Sequence, residues 1–345
     1  MNSAHLPPFR PHPLLRSGHA QTLAGMFLQG KRLPYSAKGH EVPLTDGDAL
    51  MLHDDLPQGW RQGDRTAVLV HGMAGCHGSP YMWRVADRLK AAGVRAFRLD
   101  LRGGGAGERL ARRTYHGGCS EDIAAALEYV ARLCPSSPTT LAGFSLGGNI
   151  ILKLLGESRT SVPGNVDGAV AACPPIDLAA CCRNLRRGAR RLYDRHFARL
   201  LMRRLKQRER NVPGAAMGSF ARAPRGMEEF DEGLTAPIWG YKNAADYYHQ
   251  CSAAPFLSRI QIPTLILAAA NDPLVPIRLF NNLNLPPQVQ LHIIPGGGHL
   301  GFIAAAGVDT GKDPDPDRRW LDWRVIQWAM QKTPSIDKTA ALDYQ

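Results

Sequence analysis

Nine consecutive residues, Leu141-Ala142-Gly143-Phe144-Ser145-Leu146-Gly147-Gly148-Asn149, restrict this chain more than any other stretch. A short apolar run, residues 139–141, leads into them, and residues 149–155 carry apolar side chains at helical spacing. The serine of a G-x-S-x-G therefore stands where a strand turns sharply into a helix. Gly143 and Gly147 flank the bend because side chains there would collide in so tight a turn. Such a turn lifts a hydroxyl clear of the sheet edge. The helix that follows aims its free N–H groups and positive dipole end toward it. The five-residue pattern alone is weak, and its meaning depends on the order of the pieces around it.

Those pieces alternate. Residues 1–38 hold Pro7, Pro8, Pro11 and Pro13 and read as an irregular N-terminal arm. Residues 40–44 and 49–54 read as two strands joined by the turn Thr45-Asp46-Gly47-Asp48. A buried strand at 66–70 is followed by a helix at 80–92 that stops at Gly93, and by a strand at 94–101. Ser120 is expected to cap a helix through Leu133, with Glu121 and Asp122 in its first turn. Beyond the elbow, strands are expected at 167–173, 263–270 and 288–294, and a closing helix at 320–330. Strands and helices in this order predict an α/β fold with a mostly parallel central sheet and helices on both faces.

Between residues 178 and 250 the alternation fails. An insertion after the sixth strand, at a strand's C-terminal end, lies over the mouth of the sheet where ligands bind. It reads as a helical cap or lid, with Trp239, Tyr241, Tyr247 and Tyr248 as candidate pocket residues. The expected organisation is an arm at 1–38, a core at 39–177 and 251–332, a cap at 178–250 and a flexible tail at 333–345.

Acyl transfer needs two preorganised donors for the developing oxyanion, each worth about 3–4 kcal/mol in the transition state. One is the backbone N–H of Leu146, the residue after the serine. The loop His71-Gly72-Met73-Ala74-Gly75, at the end of the 66–70 strand, offers the other through Met73. His71 itself reads as a loop-shaping residue. Asp272, in Asn271-Asp272-Pro273-Leu274-Val275-Pro276, stands just past a strand in a turn stiffened by two prolines. There a carboxylate can orient an imidazole and stabilise its cation. Among twelve histidines, His299 in Gly296-Gly297-Gly298-His299-Leu300-Gly301 is the best general base. Serine, aspartate, histidine, each at the C-terminal end of a predicted strand, is the chain order of the α/β-hydrolase triad. The glycine-rich Arg102-Gly103-Gly104-Gly105-Ala106-Gly107 lacks a following Gly-Lys-Ser/Thr and is not a phosphate loop.

The net charge of +12 has a local source: residues 183–210 hold twelve Lys or Arg against Asp194 and Glu209. Tyr193, Phe197, Leu200, Leu201 and Leu205 recur there at helical spacing, so the segment reads as an amphipathic basic helix of the cap. Its charged face also suits peripheral contact with an anionic membrane surface. No nucleic-acid fold signature accompanies it, and no nucleic-acid partner is expected. Seven cysteines without a C-x-x-C suggest reduced thiols in a cytoplasmic protein rather than a zinc site or disulfide framework. No 18-residue apolar run and no signal-peptide h-region are found.

With these residues in view, the chain resembles the YheT-like branch of the α/β-hydrolases, which includes the mammalian ABHD1/ABHD3-type lipases. The matching pieces are Gly18-His19-Ala20-Gln21-Thr22, the His71–Gly75 loop, Asp100-Leu101-Arg102-Gly103, Tyr115-His116-Gly117-Gly118, the elbow, and the loops around Asp272 and His299. The run Gly103-Gly104-Gly105 and a polar insert at 309–319 depart from that pattern. The resemblance implies Ser145 as nucleophile, Asp272 as acid, His299 as base, and no metal or organic cofactor. It implies a serine carboxylesterase or lipase acting on short- to medium-chain acyl esters. An acyltransferase or thioesterase using the same triad, or a ligand-binding protein on this scaffold, stays open.

Overall fold

Every residue of the strand Thr66–Val70 is buried, and its side chains alternate between two cores: Val68 and Val70 face one, Ala67 and Leu69 the other. That is the pattern of a strand covered on both faces. The computed structural model describes residues 6–30, 34–157, 162–220, 222–306 and 315–331. The expected tail at 333–345 and residues 309–314 of the polar insert lie outside the described residues.

Eight strands form one sheet: β1 (Lys38–Pro43), β2 (Ala49–Asp55), β3 (Thr66–Val70), β4 (Arg95–Asp100), β5 (Thr139–Phe144), β6 (Val166–Ala172), β7 (Thr264–Ala269) and β8 (Val289–Ile294). Their spatial order is β1-β2-β4-β3-β5-β6-β7-β8. The pairings of β2 are antiparallel and all those from β3 to β8 are parallel. The hairpin between β1 and β2 closes through Gly47 at φ +85°, which glycine adopts without strain.

Helices among the described residues position the rest, among them α1 (Gly18–Phe27), α2 (Pro80–Ala91), α3 (Ser120–Leu133), α4 (Leu146–Glu157), α5 (Leu178–Leu185) and α6 (Arg191–Asn211). On one face of the sheet, Met82, Val85 and Leu89 of α2 pack with Trp320 and Val325 of the C-terminal helix Trp320–Met330. On the other, Ile123, Leu127 and Val130 of α3 meet Ile150 and Ile151 of α4. A helical cap follows β6. Its own core joins Leu205 of α6, Met227, Phe230, Leu234 and Tyr247, with Met73 and Leu146 packed against it from below.

Two expectations need correction. Residues 1–38 are not wholly irregular, because α1 occupies Gly18–Phe27, capped by the Ser17 side chain accepting from the Ala20 N–H. The four prolines all precede it and leave it intact. Ser120 is the first residue of α3 rather than its cap, and its hydroxyl donates instead to Glu157.

Candidate active site

The turn between β5 and α4 holds Ser145 at φ +52°, a left-handed conformation that a side chain resists. Its neighbours allow the bend. A β-carbon on Gly143 would stand 2.5 Å from the Gly147 carbonyl oxygen, and one on Gly147 would stand 2.5 Å from that of Val70. The Ser145 N–H donates to the Ala172 carbonyl of β6 at 2.8 Å, which ties the elbow to the sheet. Ala74, Cys173, Leu300 and Phe302 also have positive φ, so strained backbone gathers in the loops around this serine.

His299 lies beyond β8. Its Nε2 is 2.8 Å from Ser145 Oγ and its Nδ1 is 2.8 Å from Asp272 Oδ2. Asp272, beyond β7, uses its other oxygen to accept the N–H groups of Leu274 (2.7 Å) and Val275 (3.0 Å). The carboxylate is therefore aimed by its own turn, as an Asx-type loop provides. The structure brings Ser145, Asp272 and His299 together from three strand ends.

Met73 and Leu146 line the same cavity as Ser145 and His299. Around Met73 the loop's other N–H groups are engaged. Gly72 donates to the Tyr81 hydroxyl (2.9 Å), Ala74 to the Tyr115 hydroxyl (2.7 Å) and Gly75 to the Gly72 carbonyl (3.0 Å). The Met73 N–H meets no acceptor among the described residues. His71 shapes this loop: one ring nitrogen reaches its neighbour Gly72 O at 2.7 Å and the other accepts the Leu101 N–H at 3.1 Å. Full burial pushes its pKa down, so it stays neutral.

The cavity, about 160 Å³, runs from Ser145 under the cap. Leu178, Leu205, Met227, Phe230 and Leu234 supply its apolar wall. Tyr247 and Tyr248 line it as expected, whereas Trp239 and Tyr241 do not. Trp239 instead lies against the Arg102 and Arg113 guanidiniums and donates to the Thr114 carbonyl at 3.0 Å. Asp231 faces the cavity from a turn of π-helix. Burial, together with the nearby Asp194 charge, raises its pKa to about 6 against hydrogen bonds from Thr235 and Tyr248.

The residues that seat His299 escaped the sequence reading. The His299 N–H donates to Thr22 Oγ1 of α1 at 2.8 Å. Gln21 of the same helix donates to the Ile303 carbonyl and accepts the Ile303 N–H. Gly18 packs so closely that a β-carbon there would fall 1.7 Å from the Asn271 carbonyl oxygen. The available signal was the motif Gly18-His19-Ala20-Gln21-Thr22, whose small and hydrogen-bonding residues recur on one short helix.

Among the described residues, two clusters bring three potential metal-ligating atoms within 4.8 Å: Cys173, Asp272 and His299, and His53, His77 and Asp100. Hydrogen bonds account for the second. Asp100 Oδ2 lies 3.0 Å from His53 Nε2 and 2.8 Å from His77 Nδ1, and it accepts the Ala106 N–H. Burial would raise the Asp100 pKa, but those two histidines hold it well below the usual carboxylate range. In the first cluster, Asp272 and His299 are already bonded to each other.

The alpha/beta hydrolase fold family matches residues 67–306 of this chain. YheT of Escherichia coli (strain K12), a candidate esterase by its name, is 31% identical over 313 residues, covering 90% of this chain and 89% of that protein. The phospholipase ABHD3 of Homo sapiens is 25% identical over 301 residues, covering 83% and 71%. Among solved structures, the Pyrococcus furiosus esterase Pf2001 superposes with a TM-score of 0.53 at 17% identity, covering 88% of this chain and 98% of that one.

Proposed function

The chain belongs to the α/β-hydrolase family, in its YheT-like branch of carboxylic ester hydrolases, and from that premise we propose a serine esterase or lipase acting on short- to medium-chain acyl esters. One observation carries the reading: a single imidazole, His299, stands 2.8 Å from both a serine hydroxyl and an aspartate oxygen. In this reading His299 Nε2 takes the Ser145 proton as Oγ attacks the ester carbonyl. The N–H groups of Met73 and Leu146 receive the oxyanion. Collapse returns the proton to the leaving alkoxide. Water, deprotonated by the same nitrogen, then attacks the acyl carbonyl, and the C–Oγ bond breaks to free the acid as the proton passes from Nε2 to Ser145 Oγ. Asp272 keeps the Nδ1 proton in place and stabilises the imidazolium.

The cap acts as a lid whose apolar underside accepts the acyl chain. Replacing Ser145 by alanine is expected to lower turnover of 4-nitrophenyl butyrate by at least about 10⁴-fold. It should also abolish labelling by a fluorophosphonate probe. Turnover near the wild-type rate in that variant would overturn the assignment. Thioesters and added alcohols in the same assay separate hydrolysis from acyl transfer.

We also infer peripheral contact with an anionic membrane surface. Arg187, Arg190, Arg191, Arg195, Arg199 and Arg203 belong to the basic segment, and Leu192 on α6 and Leu23 and Phe27 on α1 are exposed. His19 of α1 stacks on Tyr193 of α6, which joins the two surfaces. No helix among the described residues is long and apolar enough to cross a membrane. A location inside the cell fits the seven free cysteines. Co-sedimentation with phosphatidylserine-containing vesicles is expected at low salt and should weaken at high salt; no binding at low salt would exclude the contact.

A further inference from the structure

Helix α6 turns Phe197, Leu201, Arg204, Leu205 and Arg208 toward the cavity. The spacing is that of one helical face, whose other three members are apolar, and two of the five are cations in a cavity that Asp231 and Thr235 also line. Arg208 is accounted for. It is buried, and its guanidinium donates to the carbonyl oxygens of Gly103 (3.1 Å), Glu108 (2.7 Å), Ala111 (2.7 Å) and Arg112 (3.4 Å).

Arg204 is different. It is half-buried, and its one hydrogen bond among the described residues is a long 3.4 Å contact to the Gly75 carbonyl. No carboxylate among the described residues pairs with it. Gly75 ends the loop that carries Met73, so the charge lies beside that loop and lines the cavity that also holds Ser145. The titratable groups that feel it are His71, Cys76, Tyr81 and Tyr115, and burial keeps each of them neutral. A guanidinium offers five N–H donors in a fork that matches a carboxylate or phosphate. Here almost all of that capacity is unused and partly desolvated.

We propose that Arg204 is a specificity residue that binds a carboxylate or phosphate carried by the ester itself, so that the substrate is an acyl ester with an anionic group on its acid or alcohol part. This rests on the ester-hydrolase reading of the site. Two matched pairs distinguish the sources of the charge. The mono-4-nitrophenyl ester of glutaric acid against 4-nitrophenyl valerate tests a carboxylate on the acyl side. 2-Phosphoethyl hexanoate against 2-hydroxyethyl hexanoate tests a phosphate on the alcohol side.

In at least one pair the wild-type protein should favour the anionic member in kcat/KM. Arg204→Gln should lower the anionic-to-neutral ratio by roughly 10- to 100-fold, the scale of a charge-assisted hydrogen bond. Arg204→Lys should restore part of it. Arg132→Gln, a distant exposed charge removal, should keep the wild-type ratio. A ratio unchanged by Arg204→Gln in both pairs, in protein that melts like wild type, overturns the proposal while the hydrolase reading stands. If the wild-type protein turns over neither pair, calorimetric binding of hexyl phosphate and monomethyl glutarate to the Ser145→Ala protein decides instead. At least tenfold weaker binding of either after adding Arg204→Gln supports the anion site without the hydrolase; equal binding or none overturns it.

Discussion

Asp231 shows how far a single side chain can depart from what its type suggests. Its two oxygens accept the Thr235 hydroxyl at 2.6 Å and the Tyr248 hydroxyl at 2.7 Å, yet burial still lifts its pKa to about 6. A folded-state pKa above the unfolded value of 3.8 means that the native state holds the proton more tightly. The stabilisation is complete below about pH 3.8 and is lost as pH rises through about 6, a span worth about 3 kcal/mol. Urea unfolding at pH 4 and pH 7 should therefore show the stability difference between wild type and Asp231→Asn moving by about that amount, in favour of the variant at pH 7. Equal differences at both pH values would show that Asp231 titrates normally. Residues such as Ser145, Asp272 and His299 could be found beforehand because short glycine- or proline-bounded motifs mark strand ends. Asp231 and Arg204 could not. Their chemistry comes from which way a helix face turns, and in a segment of twelve basic residues, where Arg186 is the one ion-paired among the described residues, Arg204 looks like its neighbours.

At the level of elements, the central strands β3, β5, β6 and β7 were legible because they are short runs rich in small, aliphatic or β-branched residues, and tertiary packing agreed with that local preference. The helix α1 was not, since ten residues with a modest apolar face give little periodic signal beside four prolines. Its contribution is nevertheless structural support for the His299 loop through Gly18, Gln21 and Thr22. Gly18→Ala places a methyl group against the Asn271 carbonyl, which is backbone and cannot turn aside. The helix must move, and Thr22 with it. The expected result is a fall in kcat of at least about tenfold, since small displacements of a reacting group are costly, with a destabilisation of about 1–3 kcal/mol from overpacking. Steady-state kinetics and a thermal melt on the same sample check both. Wild-type kcat with a lowered Tm would reduce α1 to a purely stabilising role.

Across the whole molecule, acid stability follows from buried histidines. His53, His71 and His116 all have pKa values pushed down by burial, His116 to about 3 with the cations Lys153, Arg102 and Arg113 adding to the effect. A histidine held below its unfolded value of 6.5 contributes stability that is present above about pH 6.5 and is lost as pH falls. Asp231 works in the opposite sense between pH 4 and 6, and Asp87, Asp122, Asp194 and Asp315, whose pKa values burial also raises, share its direction. His116→Gln is expected to flatten the slope between pH 6 and 4 by roughly 1 kcal/mol per pH unit; an unchanged slope would clear His116 of that part. Two segments far apart in the chain also meet in an instructive way, since Thr22 and the His299 N–H that it accepts are 277 positions apart. A polypeptide still emerging from the ribosome can complete the elbow at Ser145 while the imidazole proposed to deprotonate it has yet to be translated. On the proposed mechanism a nascent chain is expected to be inert toward acyl groups until the segment that carries His299 has followed the last strand into place.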